Sequence, residues 1–160
     1  MILGIDPGLS GALAFYDGGR VRVYDVPTLK AGTGGKRIVD ETELARIIDV
    51  ENGVGFIEHA FLEQVGAMPG QGVTSMFSFG TTYGILRGIL AAFYIPRTLV
   101  APRQWKRLMG VPAAKDGARA RASQLMPAHA HHWARAKDDG RAEAALIALY
   151  GVTHGLEKAT

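Results

Sequence analysis

The chain has 160 residues, which is the length of one domain. Chains divide into separate hydrophobic cores only above roughly 250 residues, so this length argues against a two-domain enzyme. Hydrophobic residues make up 48%, charged residues 21% and the formal net charge is +3, which excludes a disordered or collagen-like chain and suits a polyanionic partner. The absence of cysteine excludes disulfides and thiolate zinc sites, and with no basic leader and no apolar run of the roughly 20 residues that cross a bilayer, we expect a soluble cytoplasmic protein.

The N-terminal third predicts three antiparallel strands. Residues 1–15 contain two apolar runs around the turn sequence Asp6-Pro7-Gly8. The sequence Asp17-Gly18-Gly19 is typical of a hairpin turn and leads into residues 21–26, where apolar and polar residues alternate. The small and flexible residues 31–36 predict a mobile loop.

A helix near residues 41–51 follows, and residues 55–63 then predict a strand that ends at a carboxylate. Residues 74–94 repeat apolar positions at three- and four-residue steps and predict a helix, on which Gly80, Gly84 and Gly88 lie along one face. A helix partner is able to approach such a face closely. We therefore expect a homodimer joined through these glycines.

The last third predicts one strand and three helices. The strand covers residues 97–100, and the helices cover residues 102–109, 117–125 and 138–150. Because helix and strand alternate after an antiparallel hairpin, the sequence predicts an α/β fold. Its mixed central sheet has three antiparallel strands followed by parallel strands, and helices flank it.

Two carboxylates close apolar strands, Asp6 after the first strand and Glu63 after the strand over residues 55–63. Strands of one sheet deliver such side chains to its edge. Two acids forced together raise the pKa of one of them unless a cation lies between them, and a divalent cation bound by oxygen ligands fits this need. Alternatively, Asp6 only caps its own turn.

The C-terminal helix adds two acids, Asp139 and Glu143, which are four residues apart and share one helix face. Alternatively, Asp138 or Asp139 is the N-cap and the early Glu143 only favours the helix dipole. Four acids on three separate segments favour a site for Mg²⁺ or Mn²⁺. Two such ions activate water and stabilise the leaving oxygen of a phosphodiester.

Several motifs together resemble the RuvC family of Holliday-junction resolvases within the RNase H-like superfamily, above all its short bacteriophage-type members. Three of them carry the acids: Gly4-Ile5-Asp6-Pro7-Gly8, Phe61-Leu62-Glu63-Gln64-Val65 and Asp139-Gly140-Arg141-Ala142-Glu143-Ala144. Residues 67–72, 79–84 and 102–106 also match the phage-type pattern. Each motif is weak alone, but their order and spacing extend over nearly the whole chain.

The resemblance implies a crossover junction endodeoxyribonuclease that cuts four-way DNA junctions by paired nicks as a homodimer. It assigns metal ligation and catalysis to four residues: Asp6, Glu63, Asp139 and Glu143. The implied cofactor is Mg²⁺, two ions per site, with Mn²⁺ able to substitute. One nuclease domain would cover residues 1–155, followed by a short tail over residues 156–160.

Two positions depart from the family pattern. Bacterial members place two aspartates three apart in the last motif, whereas here the second is Glu143 and the residue three before it is Gly140. The ligand is therefore Asp139 or, as the weaker alternative, Asp138. The aromatic residue that bacterial members carry three residues after the middle glutamate is Gly66 here, and Met68 or Phe77 is a candidate to replace it.

A basic stretch over residues 97–121 contains seven basic residues and one acidic residue, twice the net charge of the whole chain. A solvated basic face is the simple explanation. The resemblance instead assigns DNA phosphate contacts to Lys106, Lys115 and Arg119. Trp105 either stacks on nucleic acid or, as we favour, covers the edge of the core.

The histidines are weaker candidates. We expect His129, His131 and His132 to lie in a loop without a metal, His59 to be a hydrogen-bonded residue at the core or its rim, and His154 to lie in a frayed tail. Two other functions compete with the nuclease. The first is an actin-like kinase, which needs two lobes, whereas a chain of this length supplies only one. The second is a DNA-binding module without catalysis, which the presence of four acids disfavours, because crowded like charges destabilise a protein unless a cation binds them.

Overall fold

The computed structural model describes residues 1–66, 70 and 72–155. The strands are β1 (Ile2–Asp6), β2 (Ala12–Asp17), β3 (Arg20–Asp25), β4 (Thr28–Ala31), β5 (Lys36–Val39), β6 (His59–Glu63) and β7 (Arg97–Val100). The α-helices are α1 (Glu41–Gly55), α2 (Val73–Ala92), α3 (Pro102–Leu108), α4 (Gly117–Leu125) and α5 (Asp139–Tyr150). None of these helices has the length and apolar character that a membrane crossing requires.

The main sheet has five strands in the order β3-β2-β1-β6-β7. Strands β1, β2 and β3 pair antiparallel, whereas β1 with β6 and β6 with β7 pair parallel. The predicted mixed α/β fold is therefore confirmed.

Helices cover both faces of this sheet, because side chains of a strand alternate between faces. In β1, Leu3 and Ile5 pack in the core layer that contains the buried residues of α1 and α2, while Ile2 packs in the layer that contains α5. Helix α5 is nearly covered, with seven of its residues buried. It is the helix against which the centre of the sheet rests.

Glycine at position 4 permits α5 to approach β1 very closely. A Cβ atom added to Gly4 would lie 2.2 Å from the carbonyl oxygen of Ala144 and 2.3 Å from the backbone nitrogen of Ala148. These are backbone atoms of α5 and cannot turn aside as a side chain does. The sequence pattern indicated a close helix approach on α2 and gave no sign of this one.

Three features of the local structure differ from the predictions. Residues 32–35 form a turn within the predicted loop, but the strands on either side, β4 and β5, were not predicted; their hairpin pairs Thr28 with Val39 and Ala31 with Lys36. Its side chains are largely exposed, so it lacks the alternation of a half-buried strand. The predicted strand over residues 55–63 begins only at His59, because α1 continues to Gly55.

The third concerns His154, which does not lie in a frayed tail. Residues Gly151–Gly155 continue α5 as one turn of π-helix, and the His154 ring stacks on Tyr150 with a centroid distance of 5.9 Å. The tail over residues 156–160 lies outside the described residues.

Candidate metal centre

Strand register brings Asp6 and Glu63 to the same edge of the sheet. Strands β1 and β6 are parallel neighbours with Gly4 opposite Phe61 and Ile5 opposite Leu62, so Asp6 and Glu63 occupy the next position of both strands. The alternation of side chains then places both carboxylates on the face that α5 covers.

Helix α5 adds the third carboxylate. One oxygen from each of Asp6, Glu63 and Glu143 lies within 4.8 Å of the other two, and this is the one group with metal-ligand spacing among the described residues. Glu63 is buried, while Asp6 and Glu143 are half-buried. The close contact between α5 and Gly4 sets the distance between Glu143 and the two strand ends.

Burial and neighbouring charge raise the proton affinity of two of the three acids, Asp6 and Glu63. Burial raises the pKa of Asp6 well above its usual value, and the charges of Glu143 and Glu63 raise it further. Burial likewise raises the pKa of Glu63, with a smaller contribution from the charge of Glu143. Crowded carboxylates that resist ionisation bind a hard divalent cation well, since it neutralises them and prefers oxygen ligands. The donor set therefore fits Mg²⁺ or Mn²⁺.

Lys106 lies among these acids. Its Nζ donates to Glu143 Oε1 at 2.7 Å. Burial lowers the pKa of Lys106, but the hydrogen bond to Glu143 and the charges of Glu143, Glu63 and Asp6 raise it overall. Lys106 is thus a cation at the carboxylate cluster itself, and its side chain is also 39% exposed.

Trp105 holds Glu63 through a hydrogen bond. The fully buried indole donates from Nε1 to Glu63 Oε1 at 2.9 Å. Trp105 is therefore a core residue and is not exposed for stacking on nucleic acid. The contact joins residues 42 positions apart, so no local pattern reveals it. The hydrogen bond lowers the pKa of Glu63 and thus opposes the larger effect of burial. Trp105 is a positioning residue for a candidate ligand.

We expect Trp105→Phe to weaken Mn²⁺ binding by about 10–100-fold, the usual loss when a partner that orients a metal ligand is removed. Without the indole donor the pKa of Glu63 rises further, so protons compete better and the loss is larger at pH 6 than at pH 8. Titration calorimetry at both pH values measures it. The control is Trp133→Phe, since Trp133 is equally buried but donates to Ser123 Oγ at 3.0 Å. Equal losses in the two variants would contradict the role.

The structure does not bring Asp139 into the cluster. Its Oδ1 accepts from Arg119 Nε at 2.7 Å, one turn of α5 before Glu143. Asp138 is buried and its carboxylate accepts from the backbone and guanidinium of Arg135, which lowers its pKa. Asp138 is therefore part of the start of α5, and neither Asp138 nor Asp139 belongs to the cluster of three acids.

Gly140 packs closely against Asp6 and the loop that follows β1. A Cβ atom there would lie 2.9 Å from Asp6 Oδ2 and 2.6 Å from the carbonyl oxygen of Ser10. A side chain at this position points at the cluster but does not fit beside it unless the backbone moves.

The other predicted residues are not part of this cluster. Lys115 is exposed in the loop between α3 and α4, and Arg119 lies on α4. Phe77 is 77% exposed on α2, whereas Met68 falls outside the described residues. The three neighbouring histidines lie in the 3₁₀ segment Pro127–Trp133, and His59 shares a hydrogen bond of 2.8 Å with Thr98.

Neither a comparison with protein-family models nor one with curated proteins finds a match. Solved structures do match. Thermus thermophilus RuvC in complex with a Holliday junction is 16% identical, with a TM-score of 0.63 over 98% of this chain and 95% of that one. A second Thermus thermophilus RuvC structure gives 14% identity and a TM-score of 0.55 over 96% of each chain. The yeast mitochondrial Holliday junction resolvase gives 15% and 0.55 over 92% of this chain and 75% of that one. The chain therefore has the RuvC-like form of the RNase H-like fold.

Proposed function

We propose that this chain is a metal-dependent endonuclease that cuts branched DNA, chiefly four-way junctions, by paired phosphodiester hydrolysis. The observation that carries this proposal is the cluster of Asp6, Glu63 and Glu143 at one edge of a RuvC-like sheet. The proposed nuclease domain covers residues 1–155, and we place its activity in the cytoplasm.

Asp6, Glu63 and Glu143 would hold the metal, Mg²⁺ with Mn²⁺ as a substitute. Asp139 is the fourth ligand that we propose, and it would exchange Arg119 for a metal ion. A pair of ions bound here supplies an activated water and stabilises the leaving oxygen. Trp105 keeps Glu63 in place, and the Lys106 ammonium meets the negative charge of the DNA where the carboxylates would repel it.

Cleavage of a synthetic four-way junction tests the proposal. We expect divalent metal to be required, and we expect nicks at paired positions in opposite strands. Linear duplex and flap substrates of matched sequence should be cut more slowly. Equal cleavage of all three would indicate a different RNase H-like nuclease, and binding without cleavage under any metal would indicate a binding protein.

A DNA-binding module without catalysis is the second candidate, and one observation favours it. Two of the four proposed acids are already neutralised by protein cations, Glu143 by Lys106 and Asp139 by Arg119. A fold that had lost its metal would need such pairs. Against this, no basic side chain forms a salt bridge with Asp6 or Glu63 among the described residues.

A homodimer through α2 forms part of the proposal. Gly80, Gly84 and Gly88 are exposed, and a Cβ added to each would meet nothing within 4 Å. Phe77 and Val73 are 77% and 85% exposed on the same helix. Two copies would place two metal centres on one junction, as paired nicking requires.

We expect Gly84→Leu to weaken self-association at least tenfold, because the larger side chain separates two helices in close contact. Sedimentation at micromolar concentrations measures the change, with Gly53→Leu on α1 as the control for a leucine at an open helical glycine. A wild-type chain that is monomeric and still makes paired nicks would contradict a dimer through this face.

We expect Lys115→Ala to weaken junction binding for all sequences and to reduce the slope of log affinity against log salt by about one unit, with unchanged cut sites. Fluorescence anisotropy from low to moderate salt measures this. The control is Arg20→Ala, because Arg20 is exposed at the start of β3, at the sheet edge opposite Asp6. An unchanged slope would make Lys115 an ordinary surface lysine.

A further inference from the structure

A cleft of about 410 Å³ lies between the β4–β5 hairpin and the first half of α2. This volume is within the range of about 300–1,000 Å³ that is usual for small-molecule sites. The lining side chains that matter here are Leu9, Lys36, Arg37, Thr74, Ser78 and Phe79. None of them was predicted from the sequence to be a site residue.

The cleft adjoins the metal cluster through the loop that follows Asp6. Leu9 lies in this loop, three residues after Asp6, and lines the cleft. In the same loop, Gly8 packs near Phe79, since a Cβ atom added to Gly8 would lie 3.7 Å from the Phe79 ring. The cleft is on the α2 side of the sheet, whereas Glu143 and Lys106 approach from the α5 side. The loop from Asp6 to Leu9 is the connection between the cluster and the cleft.

The lining combines positive charge, hydroxyl groups and apolar surface. Lys36 and Arg37 are exposed cations, and among the described residues neither forms a salt bridge. Arg37 donates to the Thr28 hydroxyl, which holds its guanidinium on the hairpin. Thr74 and Ser78 supply hydroxyls, while Leu9 and Phe79 supply the apolar surface.

The acidic residue near this cleft, Glu41, lines a different cleft. A smaller neighbouring cleft of about 200 Å³ shares Ser78 but is lined by Glu41, Ile38 and Ile85. Its carboxylate repels an anion, whereas no acidic side chain among the described residues lines the larger cleft. A bound anion is therefore directed to the end with Lys36 and Arg37.

We infer that this cleft binds one nucleotide of the DNA strand next to the phosphate that is cut. Its phosphate pairs with Lys36 and Arg37, and its sugar or base rests on Leu9 and Phe79. A nucleotide has the same combination of anionic, hydrogen-bonding and apolar surface as the lining. The inference rests on the proposed nuclease function and adds a second DNA-binding surface on the α2 side of the metal centre.

Junction binding tests the charged end. All binding variants carry Asp6→Asn, so that the DNA stays intact. We expect Lys36→Ala with Arg37→Ala to reduce the salt slope by about two units, one for each cation that no longer neutralises a phosphate. Lys30→Ala is the matched control, because Lys30 is paired with Arg37 across the hairpin but does not line the cleft. An equal change for Lys30→Ala would show general attraction by the hairpin and overturn the inference.

Cross-linking tests the position of the strand. The chain has no cysteine, so Ser78→Cys introduces a unique thiol in the cleft and Lys30→Cys a unique thiol outside it. Junctions carry an activated disulfide tethered to one phosphate at a time. We expect Ser78→Cys to cross-link only with tethers within about two nucleotides of the cut site, and Lys30→Cys to cross-link far less. Efficient cross-linking at distant phosphates, or none near the cut, would overturn the inference.

The two proposals fail in different ways. If the wild-type chain neither cuts nor binds junctions, the nuclease proposal fails and the cleft loses its ligand. If the wild-type chain cuts junctions but the Lys36 and Arg37 double variant matches the Lys30→Ala control, only the cleft is wrong. Thermal melting of each variant shows whether it is folded.

Discussion

Replacing Asp6, Glu63 or Glu143 with its amide is expected to reduce junction cleavage by more than about 100-fold, comparable with the loss of a single group that stabilises charge in a transition state. Each amide keeps the shape of the side chain but removes the charge that holds a cation. Junction binding should persist or tighten, because carboxylates that repel phosphate are removed. Gel-based cleavage rates and anisotropy measure the two effects separately.

Asp49→Asn is the control, since Asp49 is an exposed carboxylate on α1 that lies outside the cluster. Any cluster variant that cuts at the wild-type rate would not be a ligand. Asp139→Asn is the informative fourth variant, because the structure pairs Asp139 with Arg119. We expect the same loss of cleavage if Asp139 turns to the metal. Full activity of this variant would show that Asp139 is not a metal ligand and only pairs with Arg119.

Gly4→Ala is expected to destabilise the protein more than any surface substitution. The added Cβ would lie 2.2 and 2.3 Å from backbone atoms of α5, so strand and helix must separate. Overpacking in a core costs about 1–3 kcal/mol, and this site is at the upper end because backbone cannot repack. A loss of about 3 kcal/mol lowers Tm by about 6–12 °C in a domain of this size.

Gly53→Ala is the matched control for this prediction. Gly53 lies in α1, and a Cβ there would meet nothing within 4 Å. Alanine is the better helix former by about 1 kcal/mol, so Tm should rise by a few degrees. Calorimetry measures both shifts. A Gly4→Ala variant that melts with the wild type would show that α5 shifts easily, and the spacing of Glu143 from Asp6 would then be set by something else.

Much of the fold was predictable because its signals are local. Asp6-Pro7-Gly8 and the alternation in residues 21–26 predict the first strands, and the period of residues 74–94 predicts α2. Asp6 and Glu63 stand at the ends of apolar runs, which places them at a sheet edge from the sequence alone. The β4–β5 hairpin gave no such signal, since its exposed side chains carry no burial pattern.

Contacts between distant residues were decided only by the tertiary structure. Residue types and spacing gave four candidate acids, but helix packing at Gly4 put Glu143 beside Asp6 and Glu63, while Arg119 holds Asp139 apart from them. The hydrogen bond from Trp105 to Glu63 is likewise a contact between residues far apart in the sequence. The sequence shows which residues can ionise and which face of a segment is apolar. Which charged groups contact each other depends on how the segments pack, and the whole core determines that packing.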